Sequence, residues 1–189
     1  MAISKDTNLI DNFIYLFHTD KYLILPEYPD SISDKMNSMF SQTNALSRTA
    51  PVFAYSYSGP RTVNFQIHLH RDMMFDANTN VSNVELAPDE DYVDVLVREL
   101  QAIALPVYRA TDKMVTPPSI AVRLGREIFV KGVVIGGVAI DYQKPILEDG
   151  RYAQVTLAFN IYETDPYDAE SVSQLGSFRG VTAQFKNML

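Results

Sequence analysis

The sequence predicts a mostly β fold with one packed α-helix and with extensions at both termini. Three observations carry that reading. Thr62–His70 alternates strictly, with Val63, Phe65, Ile67 and Leu69 on one side and Asn64, Gln66, His68 and His70 on the other, the period of a strand with one wet face. Residues 117–163 read as a meander of strand, short turn, long strand, tight turn and strand. Residues 89–105 hold one convincing helical pattern, in which Tyr92, Leu96, Leu100 and Ile103 recur at three- to four-residue spacing. The β-domain is placed at residues 1–163 and a C-terminal extension at 164–189.

Composition bounds the rest. The chain has 189 residues, 47% apolar and 21% charged, enough for a packed core and too apolar for wholesale disorder. No apolar run approaches the length of a membrane-crossing helix, and the mixed charge of the first residues does not look like a signal peptide. There are no cysteines, which removes disulfides, thiol nucleophiles and thiolate metal sites together. Sixteen basic against 23 acidic residues give a net charge of -7, which disfavours a duplex-DNA gripping surface, since phosphate neutralisation needs lysine and arginine.

In chain order, residues 1–11 are polar. Residues 13–18 and 21–25 are aromatic and apolar with Thr19-Asp20 between them, a hairpin pattern. A helix is the competing reading there, because Ile10, Phe13, Ile14 and Phe17 also fit helical spacing. Pro26 and Pro29 end that unit by removing ladder donors. Residues 31–50 have weak periodicity, with Met36, Met39, Phe40 and Leu46 as isolated anchors, and read as an ordered loop with at most one helical turn. Residues 51–57 form a short strand, and Ser58-Gly59-Pro60 turns the chain into Thr62–His70. A polar loop over 71–87 precedes the helix, whose start carries Asp89, Glu90 and Asp91 at the positive end of the dipole, and Pro106 stops it. In the meander, Ile120, Val122 and Leu124 share one face, and residues 127–142 are a long β-branched run. Asp149-Gly150 is a pair that tight hairpin turns favour, because both positions tolerate positive φ. Val155, Leu157, Phe159 and Ile161 face inward on the returning strand.

No catalytic constellation emerges. His68 and His70, two apart on a strand, share a face about 7 Å apart, so a small metal- or ligand-binding β-barrel is the rival reading. That rival lacks a following carboxylate, since Met74 and Phe75 stand there, and His18 lies upstream. Gly132, Gly136 and Gly137 sit inside a strand pattern rather than before a helix, where glycines mark bends, bulges or close approaches and not a dinucleotide loop. Asp89-Glu90-Asp91 lacks the alternate-residue spacing of a calcium loop. No metal, cofactor or enzymatic activity is expected.

The order of segments carries more. YLILPEYPDSISD is followed by RTAPVFAYSYSGPRTVNFQIHLHRDM, a helix, and PPSIAVRLGREIFVKGVVIGGVAIDYQKPILEDGRYAQVTLAF. This resembles the tube and hub proteins of phage contractile tails and related injection machines over roughly residues 20–163, matching at Pro117-Pro118, Gly125, Gly132-Val133, Val138, Asp149-Gly150, Ala153, Val155 and Leu157. The chain departs from the pattern in having no tryptophan, and no peptidoglycan-binding repeat follows residue 163. The resemblance implies a tail-tube-like β-sandwich or barrel whose sheets join side by side into a six-fold ring around a channel that DNA passes through. It implies a structural protein of the virion, a tube initiator or baseplate-hub adaptor, with a major tail tube subunit as the alternative. Its partners would be copies of itself, homologous tail subunits and the neighbouring tube and baseplate proteins, with no membrane insertion.

The C-terminal extension adds a stripe of Val172, Leu175, Phe178, Val181 and Phe185 at helical spacing, interrupted by Gly176 and Gly180, which weaken a helix by about 1 kcal/mol each. A segment that is amphipathic but not self-sufficient is a candidate docking arm for a neighbouring subunit. Packing back on its own domain is the equal alternative.

Overall fold

The computed structural model describes residues 12–44, 49–71, 84–106, 108, 117–125, 127–165 and 169–170. In chain order the elements are β1 (Asn12–Leu16), β2 (Lys21–Ile24), β3 (Ile32–Lys35), β4 (Ser38–Thr43), β5 (Val52–Ser58), β6 (Thr62–His70), helix α1 (Tyr92–Ala102), β7 (Ile120–Leu124), β8 (Ile128–Ile146) and β9 (Tyr152–Glu163). A seven-stranded sheet runs β2-β1-β7-β8-β9-β6-β3, antiparallel at every pairing, and β4-β5 form a separate two-stranded sheet. The fold is therefore mostly β with a packed helix, as the patterning predicts. The main sheet stays open, ending at β2 on one side and β3 on the other, instead of closing into the barrel that was the other half of the expectation.

One face of this sheet makes the core. Val63, Phe65, Ile67 and Leu69 of β6 and Val155, Leu157, Phe159 and Ile161 of β9 are all buried there, as their alternation requires. Phe65 and Phe159, directly paired across the strands, meet edge to face at 4.4 Å. Helix α1 lies on this face and buries Tyr92, Val93, Val95, Leu96, Val97 and Leu100, a wider stripe than the four residues the spacing picked out. Its start is fixed by a capping box: the Asp91 carboxylate accepts from the Asp94 amide at 2.9 Å while the Asp94 side chain accepts from the Asp91 amide. The Tyr92 hydroxyl donates to the Ile24 carbonyl, and Lys21 pairs with Glu99 at 2.7 Å, so the helix is tied to β2.

The hairpin expected over residues 13–18 and 21–25 is found as β1 and β2, and the helical alternative is not. All five residues of β1 are buried because it lies inside the sheet, between β2 and β7, with both faces covered. Ile14 and Leu16 enter the main core; Phe13 and Tyr15 join Ala121, Phe17, Tyr22 and Phe129 in a second, aromatic cluster on the opposite face. The Asn12 amide group donates to the carbonyls of Leu25 and Glu27, which seats the chain as it leaves β2.

Residues 31–50 depart from the loop expected of them, since β3 and β4 lie there. Periodicity reports burial, and these strands have almost none: β3 is exposed at three of four residues and β4 at all six. Their ladders come from β6, far along the chain from β3, and from β5, the strand that follows β4. The Asp149-Gly150 turn also differs in detail. Only Gly150 takes positive φ, at 84°, and the Gly150 amide donates to the Leu147 carbonyl while the Leu147 amide donates to Arg151, the form of a three-residue loop closed by a glycine.

Candidate assembly surface

The β4–β5 hairpin continues the β3–β6 ribbon past the end of the main sheet. Two residues, Met36 and Asn37, link β3 to β4, and the Gly59 amide donates to the Asn37 carbonyl at 2.8 Å where β5 returns toward β6. Every residue of both strands is exposed. Phe53, Tyr55 and Tyr57 alternate along β5 and so share a face. A register shift between Met39 and Phe40 sets Met39 opposite Tyr57 and Phe40 opposite Tyr55, whose rings meet at 5.6 Å. Phe40 is 57% exposed, Phe53 62%, Tyr55 59% and Tyr57 58%. Neither strand carries a charge. A two-stranded hairpin is marginal by itself in water, and edge strands in isolated proteins normally carry lysine, proline or a cover. A contiguous aromatic patch of this kind marks an interaction surface.

The second open feature is β8. At 19 residues it far outruns the five-residue β7, which pairs only with residues 128–132. Among the described residues, no strand lies along that side of β8 from Val133 to Ile146, while β9 lines the other side. Gly136 and Gly137, at φ +78° and +85°, form an irregularity that moves the pairing from Ile135↔Asn160 to Val138↔Phe159. Within residues 133–139, Val134 is buried and Val138 packs on the core, but Ile135 and Ala139 are exposed. Tyr142 and Ile146 are exposed too, with the Tyr142 ring centre 5.9 Å from that of Tyr152 of β9 and tilted 45° to it.

Two ionic clusters hold these open strands in place. Arg71, buried at the end of β6, donates to the Tyr152 carbonyl at 2.8 Å, to Asp94 at 2.9 Å and to Asp91. Arg151 reaches the same two carboxylates and Asp149, so the tip of the β8–β9 hairpin is stapled to the start of α1. Burial alone would push the Asp94 carboxyl up; the hydrogen bonds and charge of Arg71, with help from the Asp91 amide and Arg151, outweigh it and hold its pKa below the ordinary value. At the other end, Arg61 forks onto Asp34 at 2.9 and 2.7 Å and reaches the buried Glu163 at 3.3 Å, joining β3 to β9 where the hairpin departs. On the aromatic face, the Tyr15 hydroxyl donates to Asp20 at 2.5 Å; that bond, with burial, raises its pKa to about 12. The networks around Arg61 and Arg71 were not legible in the sequence, where these arginines look like any others.

His68 and His70 project from the wet face of β6. The His68 Nδ1 lies 3.0 Å from the Thr156 hydroxyl, and its Nε2 lies 3.9 Å from Asp30. Among the described residues no group of three or more histidines and carboxylates comes together that could hold a metal. The arm residues Val172, Leu175, Phe178, Val181 and Phe185 lie outside the described residues. No described helix is long and apolar enough to cross a membrane.

No protein-family model matches the chain, and no curated protein matches it significantly. Among solved structures, a chain of the tail of an empty GTA particle with C6 symmetry is 14% identical, covering 85% of this chain and 97% of that one at a TM-score of 0.42. A chain of the virion of a native gene transfer agent particle is 13% identical, covering 80% and 91% at a TM-score of 0.38. At such scores the likeness is loose, and the functional reading rests on this chain's own residues.

Proposed function

We propose that this chain is a structural subunit of a phage-like contractile tail, a tube initiator or hub adaptor at the junction of tube and baseplate, which assembles into a six-fold ring around the DNA channel. The observation that carries the reading is the uncharged, fully exposed β4–β5 hairpin standing off an open sheet. Such a hairpin is incomplete in a lone molecule and complete in an assembly. The order of motifs over residues 20–163 supports the same conclusion. The role is mechanical: copies of the chain, other tail subunits and the adjoining tube and baseplate proteins are its partners, and the virion is its place. DNA only passes through, and the net charge of -7 suits a wall that repels phosphate and does not grip it. Residues 164–189 serve as an arm that docks Val172, Leu175, Phe178, Val181 and Phe185 on a neighbour.

Sedimentation and negative-stain imaging of the purified full chain test this. Rings with a central channel are the expected result. A chain that stays monomeric at every concentration and never enters a particle refutes it. Stoichiometric bound metal, lost in His68→Ala, would reverse the ranking in favour of the metal- or ligand-binding reading.

A further inference from the structure

The tip of the β8–β9 hairpin stands outside the sheet that its strands belong to. β6 pairs with β9 as far as His70↔Gln154. At that same level the β8–β9 ladder is interrupted, between Gln143↔Gln154 and Ile146↔Tyr152. Past the break, none of residues 144–152 is buried, and Ile146 and Tyr152 are exposed, so the tip has no apolar anchor. Ala153, the next residue of β9, is buried and marks where the fixed part begins. Among the described residues, the tip is fastened by charge, through Arg71 and Arg151 onto Asp91 and Asp94 at the start of α1.

We infer that this ionic cluster is a salt-operated latch. Closed, it holds residues 144–152 against α1. Open, it frees them to swing as one unit about residues 143 and 153 while the rest of the sheet stays folded. The latch works within one molecule, so a monomer tests it as well as an assembly does.

The two arginines divide the work. Arg71 is the post: it sits at the end of β6 with its side chain only 6% exposed, paired with both carboxylates of α1, and gives the tip a single bond, to the Tyr152 carbonyl at 2.8 Å. Arg151 is the hook. It rides on the tip itself, 38% exposed, and reaches Asp91 at 3.1 Å and Asp94 at 3.2 Å. Asp149 aims it, pairing with its guanidinium and accepting from its backbone amide at 3.0 Å. Dissolved ions therefore reach the hook and not the post. Their screening length falls from about 30 Å at ~0.01 M salt to about 3 Å at ~1 M, so the pull of Arg151 fades as salt rises. What remains is a two-stranded ribbon with nothing buried, which has little reason to keep one position. Without the Arg151 charge, Asp149 is left near Asp91 and Asp94 with its counter-charge gone, and like charges push the tip outward.

The chain has no cysteine, so spin labels can be placed in chosen pairs on the full chain. Glu148→Cys with Gln101→Cys puts one label on the tip and one on α1, both at exposed positions. Gln66→Cys with Gln101→Cys is the control pair, because Gln66 lies on β6, short of the hinge. Pulsed electron resonance then reads the distances at about 0.01 M and about 1 M sodium chloride. The tip pair should show one short distance at low salt, and at high salt a longer one whose share is at least about threefold greater. In Arg151→Gln the longer distance should be present at low salt already, with no further gain on adding salt, and the control distance should stay constant throughout. A tip distance that ignores salt, or that Arg151→Gln does not move, overturns the latch. A control distance that shifts along with the tip also overturns it, because the sheet is then loosening as a whole.

Discussion

Gly132→Ala is the sharpest probe of the seven-stranded sheet. Gly132 sits at the centre of three strands, opposite Ile120 of β7 and Glu163 of β9. A methyl group there would fall far inside contact distance of the Tyr162 carbonyl oxygen, 2.7 Å from its carbon and 3.1 Å from the Glu163 Cα. All three atoms are backbone, so no side chain can swing aside, and β9 itself must move by about an ångström. That movement disturbs one or two ladder bonds, at about 1–3 kcal/mol for each group left buried and unpaired. It also displaces Glu163 from the buried Arg61. The sum is about 3–5 kcal/mol, a large share of the ~5–15 kcal/mol that holds a domain together. Urea unfolding followed by circular dichroism should show a large drop in midpoint. Gly59→Ala is the control: its nearest neighbour to an added Cβ is 3.6 Å away and its φ is not positive, so it should leave the midpoint unchanged or raise it slightly, by up to about 1 kcal/mol. An unchanged midpoint in Gly132→Ala would refute the close approach of β8 and β9 at this point.

Three further outcomes are expected. Phe159→Asp, or Leu157→Asp, should abolish folding, because each buries an unpaired carboxylate in the core at a cost of several kcal/mol; a soluble chain with an unchanged melting point would reverse the facing of β9. Arg71→Ala should cost about 2–3 kcal/mol, below the ~3–5 kcal/mol of breaking a fully buried pair, because the Asp91 and Asp94 side chains keep 27% and 33% of their exposure. Asp94 binds its proton less readily folded than unfolded, so its contribution is present above the unfolded value near 3.8 and is lost as pH falls through the lower folded one. Urea midpoints taken from neutral pH down to about pH 3 should fall in the parent and fall less in Arg71→Ala, and parallel curves would remove Asp94 from the latch. Deleting residues 170–189 should leave the β-domain's melting unchanged and impair assembly. Strong amide protection of residues 172–185 in a verified monomer would place the arm in its own core instead.

What the sequence by itself determined were the elements whose burial is periodic. The alternation of β6 and β9, the stripe and acidic start of α1, and the turn at Gly150 are local facts, since a strand or helix with one dry face must write its period into consecutive residues. The glycines of β8 were legible as irregularities: Gly132 is a close approach and Gly136-Gly137 a bulge. What carries no period could only be settled by tertiary structure. β3 and β4 are strands because β6 and β5 offer them ladders, and exposed residues such as Ser33, Asp34, Ser41 and Gln42 hold no hydrophobic signal of it. The sheet's failure to close, the short reach of β7 along β8, and the meeting of Arg71 and Arg151 at two carboxylates of α1 all join segments tens of residues apart. Hydrogen-bond ladders and ion pairs of that kind depend on where the chain returns, and no stretch of neighbouring residues records it.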